Sequence, residues 1–500
     1  MKLPRSYFNY ISYLGTITAL IAWFAIIFFI IQINFFNLEN VYFDLYAYLV
    51  TPAFLVLGLI LIPVGMYLKK RKIKKGIFLS DDKLLIINLK DPKTRNGILI
   101  FSVVTVFFII FTIMGSYKAF HYTESLEFCG KLCHKVMEPE YIAYQHSPHA
   151  RVKCAECHIG DGANFYVKSK ISGMRQVYKY LLGTYPRPIE TPIANLRPAR
   201  ETCEKCHWPQ KFYTNKIRNE KYYLSDSANT EWDLIMKMRI GADHSSLGNT
   251  EGIHWHINPN VEIEYASDFK RQSIPWVKYK DKTTGKEYIF TDQDSANYPK
   301  PDSLKKLEHR IMDCMDCHNR PSHEYLAPSH YVNGLFAGKK ISSSIPYLKI
   351  ASMEALNDIY FTKDSAFLGI SNQINDYYKK NYPDLFTKYQ KQIQNAISQI
   401  QTEFSYNTFP EMKVRYTAYP RNIGHFEFKG CFRCHDDNHK TKEGKVISKD
   451  CNLCHTIVGI GTKDTIKYAP INGTLEFVHP VDIGEEWKTT NCTECHLNLF

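Results

Sequence analysis

Residues 129–158 read CGKLCHKVMEPEYIAYQHSPHARVKCAECH and hold two pairs of cysteines, each followed at once by a histidine. The pair that begins at Cys154 has the spacing Cys-x-x-Cys-His, and the pair that begins at Cys129 has one more residue between its cysteines. In Cys-x-x-Cys-His, both thiols bond the vinyl groups of a porphyrin while the histidine lies beneath the iron as an axial ligand. This stretch therefore predicts two covalent haems close together in sequence.

The same pattern recurs to the end of the chain. The six regular motifs are Cys154, Cys157 and His158; Cys203, Cys206 and His207; Cys314, Cys317 and His318; Cys431, Cys434 and His435; Cys451, Cys454 and His455; and Cys492, Cys495 and His496. The irregular motif is Cys129, Cys133 and His134. Zinc sites, redox-active cysteine pairs and disulfides do not require a histidine after every second cysteine. The seven motifs use all fourteen cysteines and predict seven c-type haems.

The formal charge of +12 does not indicate a nucleic-acid partner. The propionates of seven haems would offset most of this charge, and much of the excess lies in one short segment, residues 69–96. A chain of 500 residues would otherwise suggest several domains. Here the macrocycles are expected to replace much of the apolar interior that such domains need.

Three stretches are apolar and uncharged over about the ~20 residues that a helix needs to cross a bilayer. They are residues 14–33, 46–68 and 97–116. The first is longer than the apolar part of a signal peptide and has no small-residue cleavage site after it, so it predicts an uncleaved anchor. Pro52 and Pro63 lie in the second stretch, where neighbouring helices can satisfy the carbonyls that a proline frees.

Charge sets the expected orientation of these spans. Residues 69–96 hold ten Lys or Arg, whereas residues 35–45 hold none. The loop 69–96 is therefore predicted to be cytoplasmic. Lys2 and Arg5 place the amino terminus on the same side. Three crossings then deliver residues 117–500 to the outer side, where c-type haem is attached. We expect a bacterial inner-membrane protein with its haem domain in the periplasm.

The motifs divide the rest of the chain, and the fold class they predict is a membrane-anchored multihaem cytochrome c. The outer part is expected to be a mostly α and irregular haem-packed domain with a small β-hairpin. The predicted segments are the anchor 1–116, a three-haem module 117–210, a one-haem region 211–430 with two haem-free insertions, and a three-haem module 431–500.

Each insertion has a local pattern of its own. In the first, PWVKYK and KEYIFT flank the turn-rich DKTTG, which predicts a β-hairpin. In the second, apolar residues recur every three or four positions after Pro383, which predicts an amphipathic helix whose apolar face is core or subunit packing rather than a cofactor site. This apolar stripe comprises Phe386, Tyr389, Ile393, Ile397, Ile400 and Phe404.

The remaining twelve of the nineteen histidines are enough to give every iron a second ligand. A haem with two protein ligands passes electrons, whereas an open position binds substrate. The candidates for the second ligand lie near the motifs or in GIHWHINP, where strand alternation would direct His254 and His256 to one face. They are His146, His149, His254, His256, His309, His323, His425, His439 and His479.

Residues 97–210 resemble the NapC/NirT family of membrane-anchored multihaem cytochromes. The similarity rests on a span, a first haem motif followed closely by a methionine, and the segments HSPHARVKCAECHIG, KSKISGMRQ and RPARETCEKCHWP. With three spans and seven motifs, the whole chain is most similar to the heptahaem quinol dehydrogenases of the inner membrane. In many relatives the methionine comes two residues after the motif histidine, whereas here Met137 comes three after His134.

The resemblance implies roles for particular residues. Met137 would ligate the first iron with His134, and His149 or His146 would ligate a neighbouring haem. Lys170, or alternatively Lys168, falls where relatives place a quinol-binding lysine. Candidate proton acceptors beside the first haem are Glu138, Glu140, Asp161 and His121.

The function expected from these features is oxidation of quinol at the periplasmic side and relay of its electrons through the haems. The expected partners are the quinol pool, membrane lipid, and a periplasmic cytochrome or another redox protein that leads to periplasmic or extracellular acceptors. One alternative is a terminal reductase of a small nitrogen or sulfur substrate, against which the ample histidines and the lack of a Cys-x-x-Cys-Lys motif argue. The other is a relay subunit without its own quinol site.

Overall fold

The computed structural model describes residues 4–35, 46, 50–75, 92–160, 163–193, 196–212, 214–242, 251–294, 298 and 300–496. It divides the chain into two compact units. The first unit comprises residues 1–138 and 153–155, and the second comprises residues 139–152 and 156–500. The loop 35–45 and most of the basic loop 69–96, on which the predicted orientation rests, lie outside the described residues.

The first unit begins with three long helices, α1 (Tyr10–Phe35), α2 (Thr51–Lys74) and α3 (Pro92–Thr123). Within the described residues, α1 and α2 are long and apolar enough to cross a membrane. Helix α2 continues six residues beyond the apolar run 46–68 into the basic segment, because a helix does not have to end where its apolar run ends. Residues 97–116 lie within α3, and a crossing by this third helix stays a prediction.

Helices α1 and α2 pack closely because small residues face each other. A Cβ atom built on Gly58 would lie 2.6 Å from the backbone nitrogen of Ala19, and one built on Gly15 would lie 2.7 Å from the carbonyl of Gly58. The Ser12 hydroxyl donates to the carbonyl of Ile62 at 3.0 Å, one residue before the helix-internal Pro63. Small residues and interhelical hydrogen bonds are the means by which helices associate in lipid, so the packing of this pair suits two membrane spans.

Two antiparallel sheets lie in the second unit, where only one hairpin was expected. The first sheet has the order β1-β2-β8-β9 and the second has the order β6-β3-β4-β5-β7. The strands are β1 (Asn215–Tyr223), β2 (Glu231–Arg239), β3 (Val261–Ser267), β4 (Trp276–Asp281), β5 (Glu287–Asp292), β6 (Glu308–Ile311), β7 (His439–Lys440), β8 (His455–Thr462) and β9 (Lys467–Tyr468). The predicted hairpin is confirmed as β4–β5, with Trp276 opposite Thr291.

The sheets bring distant motifs together. Strand β6 ends three residues before the motif at Cys314 and pairs with β3, while β7 follows the motif at Cys431 and pairs with β5. Strand β8 begins at His455 itself, the histidine of the sixth motif, which lies opposite Met238 of β2. Each sheet therefore fixes the position of a motif through its backbone hydrogen bonds.

The remaining helices are shorter, apart from those of the second insertion. They are α4 (His134–Gln145), α5 (Cys154–His158), α6 (Ala163–Leu181), α7 (Ala199–Thr202), α8 (Pro301–Leu304), α9 (Cys314–Cys317), α10 (Pro328–Ala337), α11 (Leu348–Asn357), α12 (Lys363–Asn381), α13 (Pro383–Asn407), α14 (Glu486–Thr489) and α15 (Cys492–His496). Helices α10 to α13 form a helical layer around one apolar core.

The stripe predicted in the second insertion lies on α13. Ile393, Ile397, Ile400 and Phe404 are buried in the core, and Phe386 and Tyr389 pack against it. Each such side chain contributes roughly 1.5–3 kcal/mol by leaving water. The interpretation of this stripe as core packing is therefore confirmed.

Candidate functional site

The regular motifs sit on tight turns that place their two cysteines on one side. Cys203–Lys205, Gly430–Arg433 and Cys451–Leu453 are 3₁₀ turns. With three residues per turn, side chains three apart eclipse each other. The backbone nitrogen of the motif histidine donates to the carbonyl of the first cysteine, for example from His207 to Cys203 at 2.8 Å. Both thiols and the imidazole are thereby held on one short loop.

The irregular motif has a wider turn to match its longer spacing. Glu127–Lys131 is a π-helical turn, closed by a hydrogen bond from the backbone nitrogen of Leu132 to the carbonyl of Glu127 at 3.1 Å. Cys129 lies within this turn, and Leu132 and Cys133 form a further turn before α4 begins at His134. The side chain of His134 lies outside the described residues, whereas Met137 is half-buried on α4.

Each of the six regular motif histidines faces a second histidine. The distances between ring centres range from 5.8 to 6.5 Å. The pairs are His158 with His323 at 6.2 Å, His207 with His149 at 6.0 Å, His318 with His254 at 6.5 Å, His435 with His256 at 5.8 Å, His455 with His425 at 6.3 Å and His496 with His479 at 6.2 Å.

This separation fits a metal ion between the two rings. A metal–imidazole bond of about 2 Å on each side, with the ring centre roughly 1 Å further out, gives about 6 Å between centres. Two rings packed directly against each other would approach more closely, as His425 and Phe432 do at 4.3 Å. The residues present therefore fit six haems with two histidine ligands each.

Burial keeps most of these imidazoles neutral, which metal binding requires. It lowers the pKa of eight of the twelve rings, and that of His425 falls to about 4. The others with a lowered pKa are His158, His254, His256, His318, His323, His455 and His496.

Hydrogen bonds at Nδ1 orient the rings of the partner histidines. Nδ1 of His149 lies 3.1 Å from the carbonyl of Pro321, and Nδ1 of His254 lies 3.0 Å from that of Ile240. A ring that donates from Nδ1 to a carbonyl presents Nε2 as its free lone pair, so this contact selects the tautomer and the ligating atom.

His254 and His256 do not lie on a strand as expected. Ile253–Ile257 is a 3₁₀ turn, in which residues two apart point to different sides. His254 therefore faces His318 while His256 faces His435. The expectation that both rings share one face was wrong, because the turn directs them to two different motifs.

The candidate ligands His146 and His309, and also His439 of the second sheet, have other partners. His146 stacks on Tyr406 with 4.0 Å between ring centres. Nδ1 of His309 lies 3.1 Å from Oε1 of Glu264 and its Nε2 lies 3.3 Å from the carbonyl of Leu304. These contacts account for both nitrogens of His309 and for one face of His146.

His439 is buried within the second sheet. Its Nδ1 lies 2.9 Å from Oδ1 of Asp436, and its Nε2 lies 2.7 Å from the carbonyl of Ile274. Although burial disfavours the charged form, the bond to Asp436 raises the pKa of His439. Both nitrogens act as donors in this arrangement, which suits a structural ion pair.

The first motif is a neighbour of the second, and the third to seventh motifs follow one another as neighbours in space. The thiols of Cys129 and Cys154 are hydrogen-bonded, which lowers the pKa of Cys154 to about 7. From the third motif to the seventh, a cysteine of each motif lies close enough to the next for the two free thiols to influence each other electrostatically. The neighbouring pairs are Cys203 with Cys314, Cys317 with Cys431, Cys431 with Cys454, and Cys451 with Cys492.

The chain is similar to known cytochromes c. Residues 91–192 match the model of the NapC/NirT cytochrome c family, N-terminal region. The chain is 40% identical over 491 residues to the cytochrome c-type protein ImcH of Geobacter sulfurreducens. The aligned residues are 98% of this chain and 95% of that protein. The chain belongs to the NapC/NirT cytochrome c family.

A second relative of this NapC/NirT cytochrome is the cytochrome c-type protein NrfH of Wolinella succinogenes. It is 31% identical over 120 residues, which are 23% of this chain and 67% of that protein. No solved structure matches the chain. Membrane anchoring, covalently bound haem and a role in electron transport follow from membership of the family.

In this NapC/NirT cytochrome, α6 exposes an apolar face. Met174 and Leu181 are 70% and 75% exposed, and Ile171 and Tyr178 lie on the same side of the helix. Lys170 also belongs to this side, since it precedes Met174 by four residues and Leu181 by eleven, which is about three turns. Its ammonium lies 4.7 Å from the centre of the Tyr166 ring.

Lys168 belongs to the opposite flank of α6. It precedes Arg175 by seven residues and Lys179 by eleven, so the three cations form a basic strip beside the apolar face. The side chain of Lys168 is exposed, with its ammonium 5.7 Å from the centre of the Phe165 ring. The two candidate lysines therefore differ in position, which the sequence alone did not distinguish.

The candidate proton acceptors lie on different elements. His121 lies near the end of α3 with its ring 4.4 Å from that of Tyr117. Glu138 is exposed on α4, and Asp161 lies outside the described residues. Glu140 belongs to the second unit, where its carboxylate accepts hydrogen bonds from Arg320.

Proposed function

We propose that this protein oxidises quinol at the outer face of the bacterial inner membrane and passes the electrons to a periplasmic or extracellular-directed redox partner. The observation that carries the relay function is the set of six histidine pairs. A haem held by two histidines passes electrons and has no open position for a substrate. The pairs therefore favour electron transfer over the reduction of a small nitrogen or sulfur compound.

The six pairs also supply the ligand assignment of this proposal. Together with the motif histidines, the residues that would ligate the six irons are His149, His254, His256, His323, His425 and His479. His146, His309 and His439 would serve structure instead, because their rings already have the partners described above. When bound, the haems supply one-electron transfer.

Seven haems are proposed because the irregular motif has the same elements as the others. Cys129 and Cys133 lie on or beside one helical turn, followed directly by His134 at the start of α4. Met137 is one turn further along this helix and offers a thioether to the same region. In this proposal His134 and Met137 are the ligands of the first haem.

Helix α6 supports a quinol site at a lipid surface. A helix with one apolar and one basic flank is suited to lie in the interface of a membrane, with its cations at the phosphate level. Ile171, Met174 and Leu181 would enter the acyl layer, where quinol is dissolved. Lys170 lies among them, so its amine would reach a quinol oxygen without leaving the apolar face.

The chemistry that we assign to Lys170 concerns one proton. The Nζ ammonium donates a hydrogen bond to a quinol oxygen, and its positive charge favours the anion that forms when the hydroxyl loses its proton. The acceptors of that proton expected from the sequence are Glu138 and His121. Lys168, on the basic strip, would pair with lipid phosphates instead.

Rapid mixing of the purified, haem-loaded full-length protein with a menaquinol or ubiquinol analogue tests this assignment. The rate of haem reduction is followed by absorbance. We expect Lys170→Met to lower the rate at least tenfold, while Lys168→Met, the matched control on the same helix, stays within twofold of the wild type. Dithionite should reduce all variants fully.

Two outcomes would overturn parts of the proposal. A wild-type rate in Lys170→Met would remove this lysine from the quinol site. If the wild-type protein is reduced by dithionite but by neither quinol analogue, it is a relay subunit that takes its electrons from a partner.

A further inference from the structure

The carboxylate of Glu140 lies at the ring of His323, in contact with an arginine. Oε2 of Glu140 is 3.1 Å from Nδ1 of His323, and the backbone carbonyl of Glu140 is 3.0 Å from the same nitrogen. Arg320 donates from Nη2 to both carboxylate oxygens, at 3.2 and 3.1 Å. The side chains of Glu140 and Arg320 are only 13% and 9% exposed.

This arrangement is rigid because it is tied on several sides. The guanidinium of Arg320 lies 4.1 Å from the ring centre of Tyr419 and 5.1 Å from that of Tyr325. Its Nε donates to the backbone carbonyl of His323. The arginine therefore fixes both the carboxylate of Glu140 and the backbone of the histidine that this carboxylate contacts.

His323 differs from the other partner histidines in this respect. In the described part of the chain, Nδ1 of His149, His254, His256 and His479 has a backbone carbonyl as its hydrogen-bond partner. Nδ1 of His425 lies 4.0 Å from Sγ of Cys492. His323 alone among the six has a carboxylate at this position.

A buried carboxylate at Nδ1 changes the ligand. It withdraws the Nδ1 proton partially, which makes the opposite nitrogen a stronger donor to a metal. Its negative charge also favours the ferric state, which carries one more positive charge than the ferrous state, and little solvent is present to screen this interaction. Both effects act in the same direction on the reduction potential.

We propose that Glu140 is a positioning residue that lowers the reduction potential of the haem attached at Cys154 and Cys157. It acts through His323, and Arg320 holds its carboxylate in place while offsetting part of the charge. The inference rests on the ligand pair His158 and His323 proposed above. Among the described residues, the other five regular sites have no carboxylate at Nδ1 of their second histidine.

Spectroelectrochemical titration of the haem-loaded full-length protein tests the proposal. The titration curve is a sum of components, one for each haem. The component that belongs to this haem is identified first, as the low-spin signal that His323→Ala converts to high spin. Glu140→Gln keeps the size and the hydrogen-bonding oxygen but removes the charge, so we expect this component to stay low-spin and to move to a higher potential. Arg320→Gln removes the compensating positive charge and should move it to a lower potential.

The opposite signs separate electrostatic tuning from loss of structure. A merely structural role would make both variants shift in the same direction or lose the low-spin signal. Glu324→Gln is the matched control, since its carboxylate is one residue from His323 but pairs with Arg421 at 2.5 Å, and it should shift the component less. An unchanged potential in Glu140→Gln overturns the inference, whereas an unchanged spin state in His323→Ala overturns the ligand assignment beneath it.

Discussion

The ring of His149 lies 6.0 Å from the ring of His207, although the second motif and helix α6 separate the two residues in sequence. His146, three residues before His149, stacks instead on Tyr406. Two histidines of one short segment, HSPH, thus have different surroundings. Their substitution gives the most direct test of the ligand pairs.

His149→Ala should open the outer position of the third-motif haem. Because an iron with one strong ligand lost becomes high-spin, electron paramagnetic resonance should show a new high-spin ferric signal that corresponds to one haem. His146→Ala is the matched control and should leave the low-spin spectrum unchanged. A high-spin signal from His146→Ala, with none from His149→Ala, would reverse the assignment.

The intact mass of the purified protein should show seven covalent haems. Each Cys-x-x-Cys-His or Cys-x-x-x-Cys-His turn holds two thiols on one side, so each is expected to attach one macrocycle. Replacing Cys129 and Cys133 together by Ala should lower the count to six. A wild-type count of six would mean that the π-helical turn at Glu127–Lys131 does not serve as an attachment site.

Protease added to spheroplasts should digest the haem-bearing part of the chain. This expectation rests on the charge difference between residues 35–45 and 69–96, which predicts that the amino terminus and the basic loop are cytoplasmic. Haem staining after electrophoresis would follow the loss of the full-length band. Protection of residues 117–500 in intact spheroplasts, with digestion only after lysis, would contradict the proposed topology.

Lys349 should make the stability of the helical layer depend on pH. Burial lowers its pKa to about 7, while its ammonium donates to Oδ1 of Asn333 at 2.8 Å. The unfolded chain binds this proton up to the ordinary lysine pKa of about 10.4. Between about pH 7 and pH 10 the unfolded state therefore binds more protons than the folded state, so the free energy of unfolding rises with pH. The increase is at most about 1.4 kcal/mol per pH unit. The hydrogen-exchange protection factors of α10 to α13, which correct for the faster intrinsic exchange at higher pH, should rise accordingly in the wild type.

Lys349→Met should remove most of this dependence between pH 7 and 10. The variant keeps an unbranched apolar chain in the same space and titrates no group. Lys340→Met, at an exposed position of the same layer, is the control and should keep the wild-type slope. A slope that is equal in both variants would assign the effect to other groups.

Ile400→Ala should destabilise the helical layer by about 2–5 kcal/mol, because it leaves a cavity in a core where Ile400 is fully buried. Ser398→Ala, on the exposed side of the same helix, should cost no more than about 0.5 kcal/mol. Urea unfolding followed by hydrogen exchange or far-ultraviolet circular dichroism measures the difference. Equal effects would mean that α13 does not depend on this core.

Several structural features were predictable because they depend on short stretches of sequence. A haem attachment site is encoded in five or six adjacent residues, a membrane helix in one apolar run, and the hairpin β4–β5 in a turn between two alternating segments. The amphipathic stripe of α13 is of the same kind. Each is decided by local geometry. The hairpin and the stripe of α13 lie where the pattern predicted them, whereas the attachment of seven haems and the crossing by α3 stay predictions.

The first sheet was missed although a local signal existed. Strand β8 reads HTIVGIGT and β2 reads EWDLIMKMR, and both are rich in residues that favour strands. Their partners lie far away in sequence, since β2 pairs with β8 across the fourth and fifth motifs. The strands could be suspected from composition, but the pairing could not.

The sequence by itself predicts which residues would attach haems, which stretches are apolar enough to span a membrane, and which histidines are available as ligands. Only the tertiary structure decided which histidine faces which motif, that His254 and His256 turn to different partners, and that Glu140 contacts His323. The physical reason is that a ligand pair requires two rings about 6 Å apart in space. That distance depends on the path of every loop and sheet between the two residues, whereas a motif depends only on its neighbours in the chain.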